Sequence, residues 1–465
     1  MGLSAVSSSR RGCRARTSAP PSTRSSATSC RRARSPTPGC CRDAWTRSAW
    51  APCKRGGSHT SRGWVSGRPS CATGCRPRTA AATPGNGARR RRRSDRVRVA
   101  LDLRLAFHRR GGVATYAARL LEALSRADPA STYVEVRDRR DRARTHGLPN
   151  VRTLRVLTPA HFRSEPWSLP LELLRARADL FHATDFVAPL PNPTPTVVTI
   201  HDLTFLRRPD LVTSRAARYY AQVPRSVRRA RAVIAVSSAT AHDVVTMLGV
   251  PRERVHVVPL AADPAFRPAR DEGLLRAARD RFGLPDRFVL FVGTREPRKN
   301  LGALLDACAQ VRDAGERVPL VLVGEEGWLS EDLERRARTQ EHVRVIGPVF
   351  ADDLVAIYNL ATVLALPSLD EGFGLPVVEA MACGTPVVCS DRGALPEVAG
   401  DAALLVDPHD VPGIAAALTS VLDDASVRDR MRQRGLARAA TFGWDRTARA
   451  TAAVYRSVVL REGRS

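Results

Sequence analysis

From Arg96 onward the chain alternates short β-branched apolar runs with amphipathic helical stretches, and it does so twice over. "RVRVALDL" (Arg96–Leu103) reads as a buried strand, "HRRGG" as a tight loop, and Val113, Tyr116, Ala117, Leu120, Leu121 and Leu124 as one face of a helix. Strand, glycine loop and helix form the first unit of a doubly wound parallel sheet. Further strands are expected at Ala178–Thr184, Thr196–Asp202, Ala232–Ser237 and Val255–Leu260, with a helix over His242–Leu248 closed by Gly249 and Pro251. The pattern restarts at "FVLFVG" (Phe288–Gly293) and continues through Pro319–Gly324, Val343–Gly347, Thr362–Ser368 and Thr385–Ser390. Helices are expected at Asn300–Val311 and Asp353–Leu360, and the proline- and charge-rich section Phe266–Asp286 reads as the linker between halves. The fold class is therefore α/β, with two Rossmann-like, doubly wound parallel-sheet domains facing across a cleft. The expected division is 1–94 as an extension, 95–270 and 285–440 as the two domains, and 441–465 as a terminal helix crossing back to the first.

The extension differs in kind. It holds 21 Lys and Arg against one acid, Asp43, so about +20 of the formal net charge of +28 belongs to it. It also holds seven of the ten cysteines, among them Cys71 and Cys75. Ser, Pro, Gly and Arg dominate it without apolar periodicity, which reads as a disordered segment. It lacks the apolar core of a secretory signal, and no ordered His/Cys pair follows Cys75 to complete a zinc site. An Arg-rich arm could bind nucleic acid, but the expectation is no specific nucleic-acid partner. The body carries only Cys308, Cys383 and Cys389, widely spaced, as in a reducing cytosol. No apolar run is long enough to span a bilayer. The expected location is cytoplasmic, with a peripheral membrane contact through Arg-rich stretches such as Arg215–Arg231.

Three features carry chemistry. In "EGFGLPVVEAMACGTP", Glu371 and Glu379 lie eight positions apart. Pro376 suits a first helical position, and Gly384 and Pro386 end the helix. Glu379 is then expected in the first turn and Glu371 in the preceding loop. Gly372 and Gly374 let the backbone approach a ligand, and their N–H groups with the helix start make an anion-attracting corner. In "GTREPRKNL", Arg298 and Lys299 follow the first strand of the second half, well placed for a diphosphate. Lys299 is the sole lysine of the body, Lys54 being the other in the chain, so a compact ammonium is retained where guanidinium is otherwise the rule. In "HDLTF", His201 ends a strand on the cleft side, and His182 in "FHATD" has the same kind of position with weaker support. Gly111 and Gly112 allow close backbone approach after the first strand.

These residues together resemble family 4 glycosyltransferases, which are retaining enzymes of the two-Rossmann-domain GT-B fold. The resemblance runs from about Arg96 to about Val458 and rests on the Glu371/Glu379 pair, "PRKN", "HDL", the Gly-Gly loop, "VSSATAHDV", "VHVVPLAAD" and "FGWDRTA" in order. "GTREPRKN" and "TIHDLTF" look most like the mannosyltransferase-type branch of bacterial surface polysaccharide synthesis. The resemblance implies transfer of a hexose, with mannose favoured, from a nucleotide-sugar such as GDP-mannose or UDP-hexose to a glycan or lipid-linked acceptor. It implies that Glu379 bonds the ribose hydroxyls and that Glu371 faces the transferred sugar. The amides of Gly372, Phe373, Gly374 and Leu375 would contact sugar and diphosphate, and Lys299 and Arg298 would neutralise the diphosphate. His201 would lie near sugar and acceptor, Gly111 and Gly112 near the diphosphate, and Trp444 with the last helix would return to the first domain. Many relatives carry arginine directly after the glycine ending the first strand of the second half, where this chain has Thr294, which leaves Arg295 without an assigned role. Neither a cofactor nor a metal is expected.

Other readings have distinct signatures. A dinucleotide-dependent dehydrogenase needs G-x-G-x-x-G after a strand, which neither "LAFHRRGG" nor "FVGTREPR" supplies. A sugar-nucleotide epimerase or a phosphorylase on the same fold would differ in its products, and a phosphorylase would need a lysine to tether pyridoxal phosphate.

Overall fold

The computed structural model describes residues 96–108, 111–142, 147–162, 164–189, 192–328 and 331–462. The basic extension, with its seven cysteines and Lys54, lies outside the described residues, as do Arg109 and Arg110 of the "HRRGG" loop.

The first sheet has seven strands in the order β3-β2-β1-β4-β5-β6-β7, all parallel. They are β1 (Arg98–Asp102), β2 (Thr132–Asp138), β3 (Val151–Val156), β4 (Leu180–Ala183), β5 (Thr196–Ile200), β6 (Ala232–Ala235) and β7 (Val255–Val257). The second has six parallel strands, β10-β9-β8-β11-β12-β13: β8 (Val289–Val292), β9 (Leu320–Val323), β10 (Val343–Gly347), β11 (Val363–Leu366), β12 (Val387–Ser390) and β13 (Leu404–Val406). In each sheet the first strand is flanked by the second and the fourth, so strand order reverses beside β1 and beside β8. Ligands of open α/β sheets lie outside the strand C-termini at such points. Gly111–Gly112 follows one and the Gly293–Lys299 turn follows the other.

Helices relevant to the site are α1 (Gly112–Ala127), α2 (Val223–Arg229), α3 (Ser238–Leu248), α4 (Glu272–Phe282), α5 (Leu301–Asp313), α6 (Ala351–Leu360), α7 (Leu375–Cys383), α8 (Leu395–Ala399), α9 (Val411–Asp423), α10 (Ala425–Ala439) and α11 (Trp444–Glu462). The apolar face of α1, with Tyr116, Ala117, Leu120, Leu121 and Leu124, is buried. Helix α3 is N-capped by Ser237, which accepts from the Thr240 amide, and ends at Gly249, φ 65°. Glycine reaches that left-handed conformation without the strain a side chain would bring.

The structure corrects several expectations. Phe266–Asp286 is not bare linker: α4 lies inside it, capped by Asp271 and stopped by Gly283 at φ 57°, and packs on α6 of the second half. Its arginines and acids had hidden a helix whose one buried residue is Ala278. Strands β2 and β3 were missed because charge interrupts them. Glu135 in β2 is fully buried, taking Arg137 Nε at 2.7 Å, and Arg137 also reaches Asp141 at 2.7 Å. Buried charges survive in such paired sets, so polarity there did not mean loop. A further helix, Glu165–Leu173, with Pro170 inside it, lies between β3 and β4. Helix α7 begins at Leu375, so Pro376 is its second residue and Glu379 lies one turn in rather than in the first turn.

Helix α11 packs on α1. Thr447 Oγ1 donates to the Pro259 carbonyl at 2.7 Å, and Arg456 pairs with Asp128 at 3.2 Å. His182 is part of this seam and not a ligand contact. Its Nδ1 lies 2.6 Å from the Tyr455 hydroxyl and its Nε2 2.7 Å from Thr199 Oγ1, in a fully buried site. Burial, with His201 nearby, pushes its basicity down to a pKa of about 3, so the ring is neutral. Tyr455→Phe strands one buried ring nitrogen without a partner. It should cost about 1–3 kcal/mol of unfolding free energy, read from denaturant midpoints, while His182 stays neutral.

Candidate active site

Strand β8 is followed directly by Gly293, φ 153°, where a β-carbon would come within 3.4 Å of Lys299 Cε. The glycine therefore leaves room for the lysine stem. A single 3-10 turn, Pro297–Lys299, then brings both cations round before Asn300, φ 54°, turns the chain into α5. Lys299 Nζ donates to Glu371 Oε1 at 2.5 Å, and Arg298 Nη1 donates to Glu371 Oε2 at 2.8 Å and to the Asp370 carbonyl at 2.8 Å. Ser368 Oγ donates a second bond to Oε1, at 2.8 Å, the third to this carboxylate. Glu371 is buried, which by itself pushes its pKa up, but Arg298 and Lys299 overcome this and hold it at about 2. Arg298 keeps a second anchor, Glu296, at 2.7 Å.

Arg295 takes no part in this cluster. It is buried, pairs with Glu334 and donates to the Gly324 carbonyl at 2.6 Å.

Across the cleft stands His201. Its Nε2 donates to the Thr184 carbonyl at 2.9 Å, which leaves Nδ1 as the acceptor nitrogen. Burial lowers its pKa, while the Thr184 carbonyl, Asp185 and Asp202 pull the other way. The ring is held edge-on to Tyr116 at 5.0 Å and to Phe186 at 5.8 Å. Gly372 packs directly on this residue's backbone: a β-carbon there would lie 1.7 Å from the His201 carbonyl oxygen and 2.8 Å from Asp202 Cβ. Gly112 meets Leu375 similarly, at 3.6 Å from its Cδ1. Lys299, Arg298, Glu371, Gly372 and His201 are thus brought together, with Gly112 against Leu375 at the start of α7. Gly111 precedes α1 with extended backbone and open space around it.

Two candidates are placed apart from that cluster. Phe373 turns its ring into the second half, against Phe442 at 5.7 Å, so only its backbone faces the turn. Glu379 is half-buried and accepts from the Tyr358 hydroxyl at 2.9 Å. Burial raises its pKa to about 7, Asp263 adding to the rise and Tyr358 opposing it. Gly374, φ 91°, fits beneath Leu395, whose Cδ2 a β-carbon would approach to 2.5 Å.

Residues missed in the sequence hold the halves together. Asp370 accepts from Thr204 Oγ1 at 2.6 Å and from Arg207 at 2.8 Å, and Arg207 also pairs with Asp243 at 3.0 Å. Glu397 on α8 accepts the Ser238 amide at 2.8 Å and its hydroxyl at 2.9 Å, at the start of α3, where a carboxylate suits the helix dipole. Thr240 Oγ1 donates to the Gly372 carbonyl at 3.2 Å. The only sequence signal was adjacency: Asp370 precedes Glu371, and its partners lie more than a hundred residues away.

Among the described residues no group of three or more His, Cys, Asp or Glu could hold a metal, and no helix is long and apolar enough to cross a membrane. The described cysteines Cys308, Cys383 and Cys389 are buried and free.

Two parallel sheets meeting across such a cleft define the GT-B fold. Residues 110–266 match the family model Glycosyltransferase Family 4, and residues 277–438 match Glycosyl transferases group 1. O-antigen chain mannosyltransferase B of Escherichia coli is 32% identical over 302 residues, covering 64% of this chain and 78% of that protein. MMP alpha-(1->4)-mannosyltransferase of Mycolicibacterium hassiacum is 34% identical over 282 residues, covering 57% and 66%. The solved structure of HepE from Anabaena in complex with UDP and glucose is similar at a TM-score of 0.62 and 18% identity, covering 78% of this chain and all of that one. The chain belongs to the family 4 glycosyltransferases.

Gly372→Ala should force the halves apart at His201. Small-angle scattering should show a larger radius of gyration than wild type, with kcat lowered about a hundredfold or more, since misplacement of about 1 Å costs that much.

Proposed function

We propose that this glycosyltransferase moves a mannosyl residue from a nucleoside diphosphate sugar to a glycan or lipid-linked saccharide, with retention at the anomeric carbon and without a metal ion. The observation carrying this reading is the Lys299–Glu371–Arg298 cluster at the β8 switch point. The names of the E. coli and M. hassiacum relatives support mannose, and the UDP complex of HepE supports a nucleotide in the cleft.

As the anomeric C–O bond breaks, the nucleoside diphosphate gathers negative charge. Lys299 and Arg298 are already fixed, so they stabilise that charge without reorganising. Both oxygens of Glu371 are engaged by these cations. Glu371 therefore acts on the donor by holding the cations in place, and it compensates their charge while no diphosphate is bound. A direct sugar contact by Glu371, which the family resemblance implies, would require one of these bonds to yield. His201 presents Nδ1 as an acceptor toward a sugar hydroxyl. Glu379, one turn along α7, takes the ribose hydroxyls. The acceptor oxygen forms the new bond to the anomeric carbon on the face the diphosphate leaves, and its proton passes to the departing phosphate oxygen.

The test is to incubate the purified chain with GDP-mannose, UDP-glucose, UDP-galactose and dTDP-glucose plus mannose-terminated oligosaccharides. Nucleoside diphosphate release should follow from the mannosyl donor, with proton NMR showing the product anomer matching the donor. An inverted product, or release dependent on added divalent cation, would overturn the reading. Lys299→Ala should lower kcat by about 100- to 1000-fold with the donor KM less changed, whereas Glu379→Ala should chiefly raise the donor KM.

The two carboxylates should also titrate oppositely. The folded protein holds a proton on Glu379 that the unfolded chain releases near its ordinary value of 4.5. That contribution to stability is full below about 4.5 and is lost as pH rises through about 7. Thermal melts of wild type should therefore fall relative to Glu379→Gln between these values, and donor affinity should rise as the carboxylate ionises to accept ribose hydroxyls.

A further inference from the structure

A second charged concavity lies at the other end of the first sheet. It is a cavity of about 320 Å³ between the end of α2, the starts of β6 and β7, and the last turn of α11. Arg231 immediately precedes β6 and Arg254 immediately precedes β7, so the cavity sits at strand N-termini. Strand β6 ends at Ala235, four residues on from Arg231 and roughly 13 Å away at the rise of a strand, and Ser237 beside the cleft follows it as the cap of α3. The donor site and this cavity therefore lie on opposite ends of one sheet.

Five guanidinium groups line it, those of Arg228, Arg229, Arg231, Arg254 and Arg461, against the single carboxylate of Glu462. Glu462 pairs with Arg231 at 2.5 Å. Among the described residues no carboxylate pairs with the other four. Arg254 is committed on one side only: its Nη2 donates to the carbonyls of Val227, at 3.2 Å, Arg228, at 2.9 Å, and Ala230, which close α2. Its buried Nε has no hydrogen-bond partner. A buried guanidinium nitrogen left unpaired is costly, and so is the gathering of like charges around a concave space. The imidazole of His256 also lines the cavity, and its basicity is lowered by burial and by Arg461 and Arg252, as expected of a site with positive potential. These costs are relieved together by one ligand type, a compact oxyanion with several acceptor oxygens, for which guanidinium forks are suited.

We propose that this cavity is a binding site for a phosphate group, separate from the nucleotide-sugar cleft. The bound phosphate accepts hydrogen bonds from Arg254 at its base and from Arg228 and Arg461 at its rim, and it links α2 to the end of α11. A soluble phosphate and the phosphomonoester headgroup of a lipid offer the same chemistry, and the test separates them.

Hydrogen exchange of the full-length chain, followed by mass spectrometry, reads the site locally. Inorganic pyrophosphate should protect residues 225–232 and 454–462. Lys299→Ala should leave that protection intact, because its cation serves the other site. The double variant Arg228→Gln/Arg461→Gln, both exposed positions, should stay folded by circular dichroism and need at least tenfold more pyrophosphate for half protection. Phosphatidylcholine vesicles containing phosphatidic acid, but not phosphatidylcholine alone, should protect the same peptides if the source is a headgroup. Protection by pyrophosphate without the vesicle effect assigns a soluble phosphate. Absence of protection in wild type, equal protection in the double variant, or its loss in Lys299→Ala would each overturn the site, and none would touch the reading of the cleft.

Discussion

A buried carboxylate clamped between two cations organises the site. Glu371 enters from the loop after β11, Lys299 and Arg298 from the turn after β8, and Ser368 completes the cage. None of the three charges could be buried alone without a penalty of several kcal/mol. Together they cancel much of the cost, and each fixes the others' rotamers. The ammonium of Lys299 fits because Gly293 yields space to its stem, and Gly324 in turn lies against the Gly293 carbonyl. A guanidinium would need a wider gap and a planar partner, which accounts for lysine here in a chain that otherwise uses arginine.

Charge pinned in one half has a consequence for the other. The chain segment that bears Glu371 continues into Gly372, whose missing side chain lets the His201 backbone press against it. Just before it, Asp370 reaches Thr204 and Arg207. The residues on either side of the clamp are therefore the ones that close the cleft. Glu397 supports the same closure from α8, seated on the first amides of α3. The contacts that fix the cations and those that join the two halves therefore share one short segment, and His201 stands as the wall opposite Lys299.

How much of this could be read from the residues depends on the range of the forces involved. Parallel-sheet strands buried on both faces appear as unbroken apolar runs, so β1, β4, β5, β6, β8, β9, β11 and β12 were legible. Edge strand β3, with Arg152 and Arg155, and β2, with its internal Glu135–Arg137 pair, were not, because their polarity is answered by partners in space. Helix α4 was lost to its charges in the same way. At the site, Lys299 stood out by residue type and the Glu371/Glu379 spacing by pattern. Their pairing did not, because it joins loops from different strands. The ion pair of Arg295 with Glu334 and the seam of His182 with Tyr455 likewise depend on contacts that no local pattern encodes.

The two carboxylates of the motif show how little spacing alone says about chemistry. Eight residues apart, both are desolvated, which pushes both upward. Glu371 meets two cations and stays ionised throughout the physiological range. Glu379 meets only a tyrosine hydroxyl and the field of Asp263, and is left near neutrality with its proton in balance. One glutamate is thereby a fixed structural anion that aims cations. The other stands between its two protonation states near neutral pH. A helix start with two glycines separates these environments by a single turn. That separation lets one short segment hold a permanent charge beside Lys299 and Arg298 and a titratable group beside Tyr358, without the two carboxylates sharing one titration.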